Sequence, residues 1–199
     1  MICIENFFND PYKIIKIGNS FKYSSQGAIR GIRSEPLHTL DQDLFETINL
    51  KIINNFYPNI NLDKTTYKAI TYFQKNEYDI NDGWIHNDPG LITAIIYLTP
   101  EETSGTSIYK IKNKDINLPT QYKKQDYFTN FNKYSIKQKA DIQKLKLENN
   151  SYFEKTASFN GEFNRMIAFK SNEWHAAELQ KENKDRVLII TFIEEINQH

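Results

Sequence analysis

Cysteine is almost missing: Cys3 stands alone among 199 residues. No internal disulfide can form, and zinc ribbons and iron–sulfur clusters, which need several thiolates, are excluded. A reducing compartment suits such a chain. Seven glycines and six prolines leave little material for long flexible linkers. Charge of one sign is also missing, because 25 basic residues face 25 acidic ones. Without a net positive field, phosphate-backbone affinity has no source, so no nucleic-acid partner is expected. No apolar run approaches the roughly 20 residues that span a bilayer. The opening segment, residues 1–6, lacks the basic-then-apolar pattern of an export signal. The expectation is a cytoplasmic protein with no membrane partner, its oligomeric state left open.

What is abundant is aromatic and β-branched. Thirteen Phe, 12 Tyr and 2 Trp within a hydrophobic share of 39% predict one globular domain over residues 1–199 with an aromatic-rich core. Residues 2–8 read as a strand, and Asn9-Asp10-Pro11 opens a helix over 12–23. Residues 27–36 read as a loop or short strand. Leu44, Phe45, Ile48, Ile52, Ile53 and Phe56 fall at helical spacing behind Asp41, a fair N-cap. Residues 65–78 predict a long strand and 79–83 a turn. Residues 91–98, almost continuously apolar, predict a strand buried on both faces. Residues 104–109 read as a turn feeding a short strand. Between 110 and 158 Lys, Asn and Gln dominate, with a helix expected over 134–147; so long a stretch reads as an insertion or lid. Strands are expected again at 159–169 and 186–194. Helices gathered near the N-terminus and no βαβ repetition give an α+β protein whose β part is a jelly roll.

Chemistry concentrates in Trp84-Ile85-His86-Asn87-Asp88-Pro89-Gly90. On an extended segment His86 and Asp88 point to one face, offering an imidazole nitrogen and a carboxylate oxygen side by side. His175, just ahead of another strand, is the candidate third ligand. Two histidines and one carboxylate form the set used by non-haem Fe(II) oxygenases. Arg186 opens an otherwise apolar strand, where a permanent charge needs an anionic partner. If residues 180–185 join antiparallel strands, Leu179 faces Arg186 and His175 faces Ile190. Ligand and guanidinium then share a face four residues apart, roughly 13 Å, a gap that an arginine plus a five-carbon dicarboxylate spans. Tyr97, in phase with Thr93 and Ile95, supplies a phenol for the same carboxylate.

His86-Asn87-Asp88, residues 93–98, Gly105-Thr106, residues 164–169, His175 and Arg186 together resemble the Fe(II)/2-oxoglutarate-dependent dioxygenases. The similarity is greatest to the prolyl-4-hydroxylase-like branch and its uncharacterised bacterial and phage relatives. It covers residues 65–110 and 159–194. The resemblance implies a double-stranded β-helix with N-terminal helices on one sheet, and Fe(II), 2-oxoglutarate and O2 as cofactor and cosubstrates. His86, Asp88 and His175 become catalytic metal ligands, with Arg186 and Tyr97 binding the distal carboxylate. Thr93 and Phe169 would line the cofactor pocket. It also implies hydroxylation of a peptidyl or small amino-acid-like substrate, with release of succinate and CO2. Leu188 stands where some branches carry Ser or Thr to assist the carboxylate. The same residues admit a cupin-like metal enzyme that does not use 2-oxoglutarate, or a non-catalytic binding or structural protein that keeps the barrel. Trp84 and Trp174 read as walls of the site. Arg30, Arg33, Asn164 and Arg165 either contact substrate or hold loops.

Overall fold

Asp41 accepts a hydrogen bond from the Leu44 amide at 3.0 Å and caps the helix it was expected to open. In a computed structural model, describing residues 1–25, 31–76, 83–101, 103–113, 135–178 and 186–199, that helix is α3, Gln42–Phe56. It follows α1, Pro11–Ser20, and the short α2, Leu37–Leu40. Phe45, Ile48, Ile52 and Ile53 form its buried stripe. Asn49, buried among them, donates to the Thr71 hydroxyl at 3.0 Å, and Thr71 lies 2.9 Å from Thr191. This satisfied polar row fixes the helix over two strands without leaving an orphan group.

Those strands belong to a seven-stranded antiparallel sheet. Its members are β1 (Ile2–Ile4), β2 (Tyr23–Ser24), β3 (Ile32–Ser34), β4 (Thr65–Asn76), β5 (Ile92–Tyr97), β8 (Met166–Lys170) and β10 (Arg186–Gln198), in the order β1-β8-β5-β10-β4-β3-β2. A second sheet holds β7 (Phe153–Gly161), β6 (Thr103–Ile111) and β9 (Trp174–Ala177), in the order β7-β6-β9. All six residues of β5 are buried, as their apolar run predicts. Alternation assigns the two faces. Ile92, Ala94 and Ile96 meet the helices in the main core, whereas Ile95 and Tyr97 face a second cluster with Ile108, Ile167, Phe169 and Leu188. Ile108 comes from the small sheet, so this second cluster lies between the sheets. The mixed α and β content and mostly antiparallel pairing are consistent with a jelly roll.

Three expectations are corrected. Residues 159–169 are not one strand: β7 ends at Gly161, Asn164 turns the chain at φ 61°, and β8 begins at Met166. The interval 110–158 is partly sheet, since β6 runs to Ile111 and β7 starts at Phe153, and its helix, α4, is Ile136–Ser151. Most importantly, β9 and β10 are not a hairpin. β9 pairs with β6, placing Ile108 opposite His175, while β10 lies between β4 and β5. Residues 79–82 of the turn proposed at 79–83, the turn at 180–185, Leu179, Arg30 and residues 114–134 of the proposed lid lie outside the described residues. Among the described residues no helix is long and apolar enough to cross a membrane.

Candidate metal centre

His86 and His175 reach each other through backbone first. They form an isolated antiparallel bridge, with His175 N donating to His86 O at 2.7 Å and His86 N to His175 O at 3.0 Å. The same device then orients both rings. His86 Nδ1 lies 2.8 Å from Trp84 O, and His175 Nδ1 lies 3.0 Å from Glu173 O. A carbonyl can only accept, so each Nδ1 carries the proton and each Nε2 presents a lone pair. Both Nε2 atoms turn toward Asp88, at 3.7 Å from Oδ1 for His86 and 3.2 Å from Oδ2 for His175. One ligand atom from each of the three residues lies within 4.8 Å of the others.

Three lone-pair-bearing atoms facing one another repel unless a cation or a proton joins them. Two imidazoles and a carboxylate suit a first-row divalent metal, and carbonyl acceptors on Nδ1 are the usual outer partners of ligating histidines.

The carboxylate is held as firmly as the rings. Thr93, fully buried on β5, donates to Asp88 Oδ2 at 2.9 Å and lies 3.1 Å from the Ser171 hydroxyl. The Asp88 amide donates to Ser171 O at 2.8 Å, and Leu91 N to Ile193 O at 2.8 Å. Between them Gly90 takes φ +97°, with a notional Cβ 2.9 Å from Ile193 O, so both conformation and space demand glycine. Thr93→Val keeps the shape and deletes the hydroxyl. Loss of an outer partner costs about 10–100-fold in metal affinity, and that drop is expected in a Ni(II) titration of the variant.

The other side of the metal loop is pinned by α4. Asn150 accepts from Ile85 N at 3.0 Å and donates to Gly83 O at 3.0 Å, while Asn149 donates to Ile85 O at 3.1 Å. Two asparagines thus act as a strand neighbour for residues 83–85. Sequence reading missed them because amides in a polar helix look like solvent-facing residues. Ser171 and the two carbonyls were missed too, although the i−2 spacing of Trp84 and Glu173 from the histidines was open to inspection.

Tyr97 and Arg186 meet at the far end of the interior. Arg186 is buried, and its Nη1 donates to Ser104 O at 2.8 Å and Gly105 O at 3.2 Å. Tyr97 donates to the Thr106 hydroxyl at 2.8 Å. Burial pushes the phenol's pKa up against the opposing pull of Arg186, and the same burial lowers that of the guanidinium. Phe169 packs on the His175 ring at 4.7 Å. Thr93, expected to line a cofactor pocket, holds the Asp88 carboxylate. Trp174 packs on Phe153 at 4.9 Å, as a wall. Asn164 and Arg165 hold loops: the Asn164 amide bonds both Phe8 N and Phe8 O, and Arg165 pairs with Glu5 at 2.7 Å.

Residues 1–186 match the model of a family of unknown function, DUF6445. The chain belongs to this family. No curated protein sequence matches that of this DUF6445 member. Its fold, however, is shared with solved structures. HygX from Streptomyces hygroscopicus, with nickel and 2-oxoglutarate bound, superposes with a TM-score of 0.58 at 11% identity, over 96% of this chain and 80% of that one. An oxidoreductase of the 2OG-Fe(II) oxygenase family from Burkholderia pseudomallei gives 0.57 at 7%, over 97% and 83%. The non-heme alpha ketoglutarate dependent carbocyclase SnoK, from nogalamycin biosynthesis, gives 0.57 at 10%, over 100% and 81%. The DUF6445 chain therefore has the fold of 2OG-Fe(II) oxygenase structures, as the sequence resemblance implies.

Proposed function

We propose that the chain is an Fe(II)- and 2-oxoglutarate-dependent oxygenase, one catalytic domain whose two sheets form a double-stranded β-helix. The observation that carries this reading is the convergence of His86 Nε2, Asp88 and His175 Nε2 inside a fold shared with 2OG-Fe(II) oxygenase structures. The metal and cosubstrate supply the O2 chemistry, coupled to conversion of 2-oxoglutarate to succinate and CO2. The chain supplies the rest. His86, Asp88 and His175 hold the ion, and Thr93 keeps Asp88 aimed at it. Arg186, with Tyr97 beside it, takes the distal carboxylate of 2-oxoglutarate. Phe169, Ile95 and Leu188 make the interior apolar, so the cosubstrate lies out of bulk water. The outcome read from this is hydroxylation of a C–H bond in a small-molecule or peptidyl substrate in the cytoplasm.

Anaerobic addition of Fe(II) and 2-oxoglutarate tests it. The wild type is expected to develop the weak visible charge-transfer band of the chelate. Arg186→Ala should need at least about tenfold more 2-oxoglutarate, the loss expected for one charge-assisted contact. Absence of the band in the wild type would refute the proposal. One observation favours a second reading, a metal enzyme that does not use 2-oxoglutarate. Arg186 already has acceptors in Ser104 and Gly105, and Tyr97 has one in Thr106, so this end of the interior could be structural. That reading expects metal binding without the band.

A further inference from the structure

Arg33 is a second buried cation: its backbone is level with Leu188, two positions along β10 from Arg186, but its guanidinium reaches the other way, toward Phe192. Arg33 lies on β3, opposite Gln74, and is 9% exposed. Its guanidinium carbon sits 5.0 Å from the centre of the Tyr72 ring and 5.7 Å from that of Phe192. Nε donates to Gln74 Oε1 at 2.7 Å, and Gln74 is fixed in turn by Asn76 at 2.7 Å. That accounts for the Nε side of the fork. Among the described residues neither terminal nitrogen makes a hydrogen bond, and no carboxylate forms an ion pair with Arg33. Burial lowers its pKa to about 10, against the favourable fields of Tyr72 and Asp88.

The position of this cation is informative. Phe192 pairs across the sheet with Thr93, the residue that holds Asp88, whereas Arg186 lies six residues earlier on β10, roughly 20 Å of strand away. The acid nearest to Arg33 in effect, Asp88, is the one committed to the metal. Once Asp88 serves an ion, the charge on Arg33 is left to be balanced by something else, in a place already walled by aromatic faces. A guanidinium flanked by rings presents its in-plane edge, the geometry that a planar carboxylate meets with two parallel hydrogen bonds. A dianionic phosphate fits less well, because among the described residues no second cation acts on the site.

We infer that Arg33 anchors a carboxylate of the substrate beside the metal centre, so that the substrate class is an organic monocarboxylic acid. This rests on the oxygenase reading, in which the two ends of 2-oxoglutarate go to the metal and to Arg186 and leave Arg33 for the substrate.

The test uses acid and amide pairs as probes: acetate and acetamide, N-acetylleucine and its amide, and hippurate and hippuramide. Calorimetry follows their binding to the protein alone and to the protein with Ni(II) and 2-oxoglutarate. At least one acid should bind about tenfold or more tightly than its amide. That preference should vanish in Arg33→Gln and survive in part in Arg33→Lys, which keeps the charge without the fork. Thermal melts establish that both variants fold, and the lysine variant serves should the glutamine one fail. No preference in any pair, or a preference unchanged in a folded Arg33 variant, overturns the inference. Loss of 2-oxoglutarate binding in Arg33→Gln together with its retention in Arg186→Ala overturns it too, since Arg33 would then be the cosubstrate anchor. Failure of the parent reading looks different: Ni(II) and 2-oxoglutarate do not bind, while an Arg33-dependent acid preference in the protein alone still stands.

Discussion

His175→Ala is expected to abolish tight metal binding while leaving the fold in place. The backbone bridge to His86 does not involve the imidazole, so the strand pairing that brings residues 86 and 175 together persists. What is lost is the Nε2 lone pair 3.2 Å from Asp88, and with it one of the three proposed ligands. Removal of an outer partner costs about 10–100-fold in affinity, so removal of a ligand should exceed about a hundredfold. Melting with and without metal separates this from simple destabilisation. At a hundred times Kd, ligand linkage stabilises the wild type by about 2.7 kcal/mol, a rise of about 5–10 °C for a chain of this size. Ni(II) should produce that rise in the wild type and none in His175→Ala. His38→Ala serves as the control, because His38 stacks on Phe45 at 5.5 Å as part of the helical layer. An equal rise in His175→Ala would place the metal elsewhere.

Sequence reading brought these three residues together because the chemistry is written in residue types: a His-x-Asp pair on an extended segment and a second histidine ahead of a strand. It misjudged how the third ligand arrives. A polar stretch between two strands looks like a hairpin turn, but it can as readily carry the chain from one sheet to the other. The pattern of β10 held the correction: Leu188, Ile189 and Ile193 are buried on alternate faces, which demands a central place in a large sheet. Four residues of β9 could not satisfy thirteen of β10. The lost strand β7 has a different cause. Most of its residues between Glu154 and Asn160 are exposed or half-exposed, so the alternation that marks a half-buried strand is diluted by Lys, Glu and Asn. Helix α4 escaped exact placement for the same reason, since Lys146 and Asn149 are its only buried residues and neither is apolar. Phe153, which packs with Ile85 and Ala176, was the legible sign of structure within the supposed insertion.

Gly105→Ala should produce the second large effect, at the opposite end of the interior. Gly105 lies where the β6–β7 register shifts between Thr103 and Thr106. A Cβ there would sit 1.5 Å from Phe159 O and 2.6 Å from Phe159 C, both backbone atoms that no rotamer change can move away. One strand must shift, and the shift reaches Arg186, because Nη1 donates to the carbonyls of Ser104 and Gly105. Overpacking costs about 1–3 kcal/mol, and weakening a hydrogen bond from a buried charged group adds about 1.5–3 kcal/mol. A fall in Tm of about 5–24 °C follows for a chain of this size. The oxygenase reading adds that 2-oxoglutarate affinity should fall more than metal affinity, since Arg186 bonds Gly105 directly whereas His175 meets the same strand three residues on, at Ile108. Gly18→Ala separates the two consequences. Its Cβ would meet the Phe73 ring at 2.6 Å, on the helical side of the large sheet, so it should lower Tm while 2-oxoglutarate binding in the folded protein stays as in the wild type. Equal loss of 2-oxoglutarate affinity in both variants would mean that the Ser104–Gly105 bulge holds the fold alone and does not position Arg186 for a ligand.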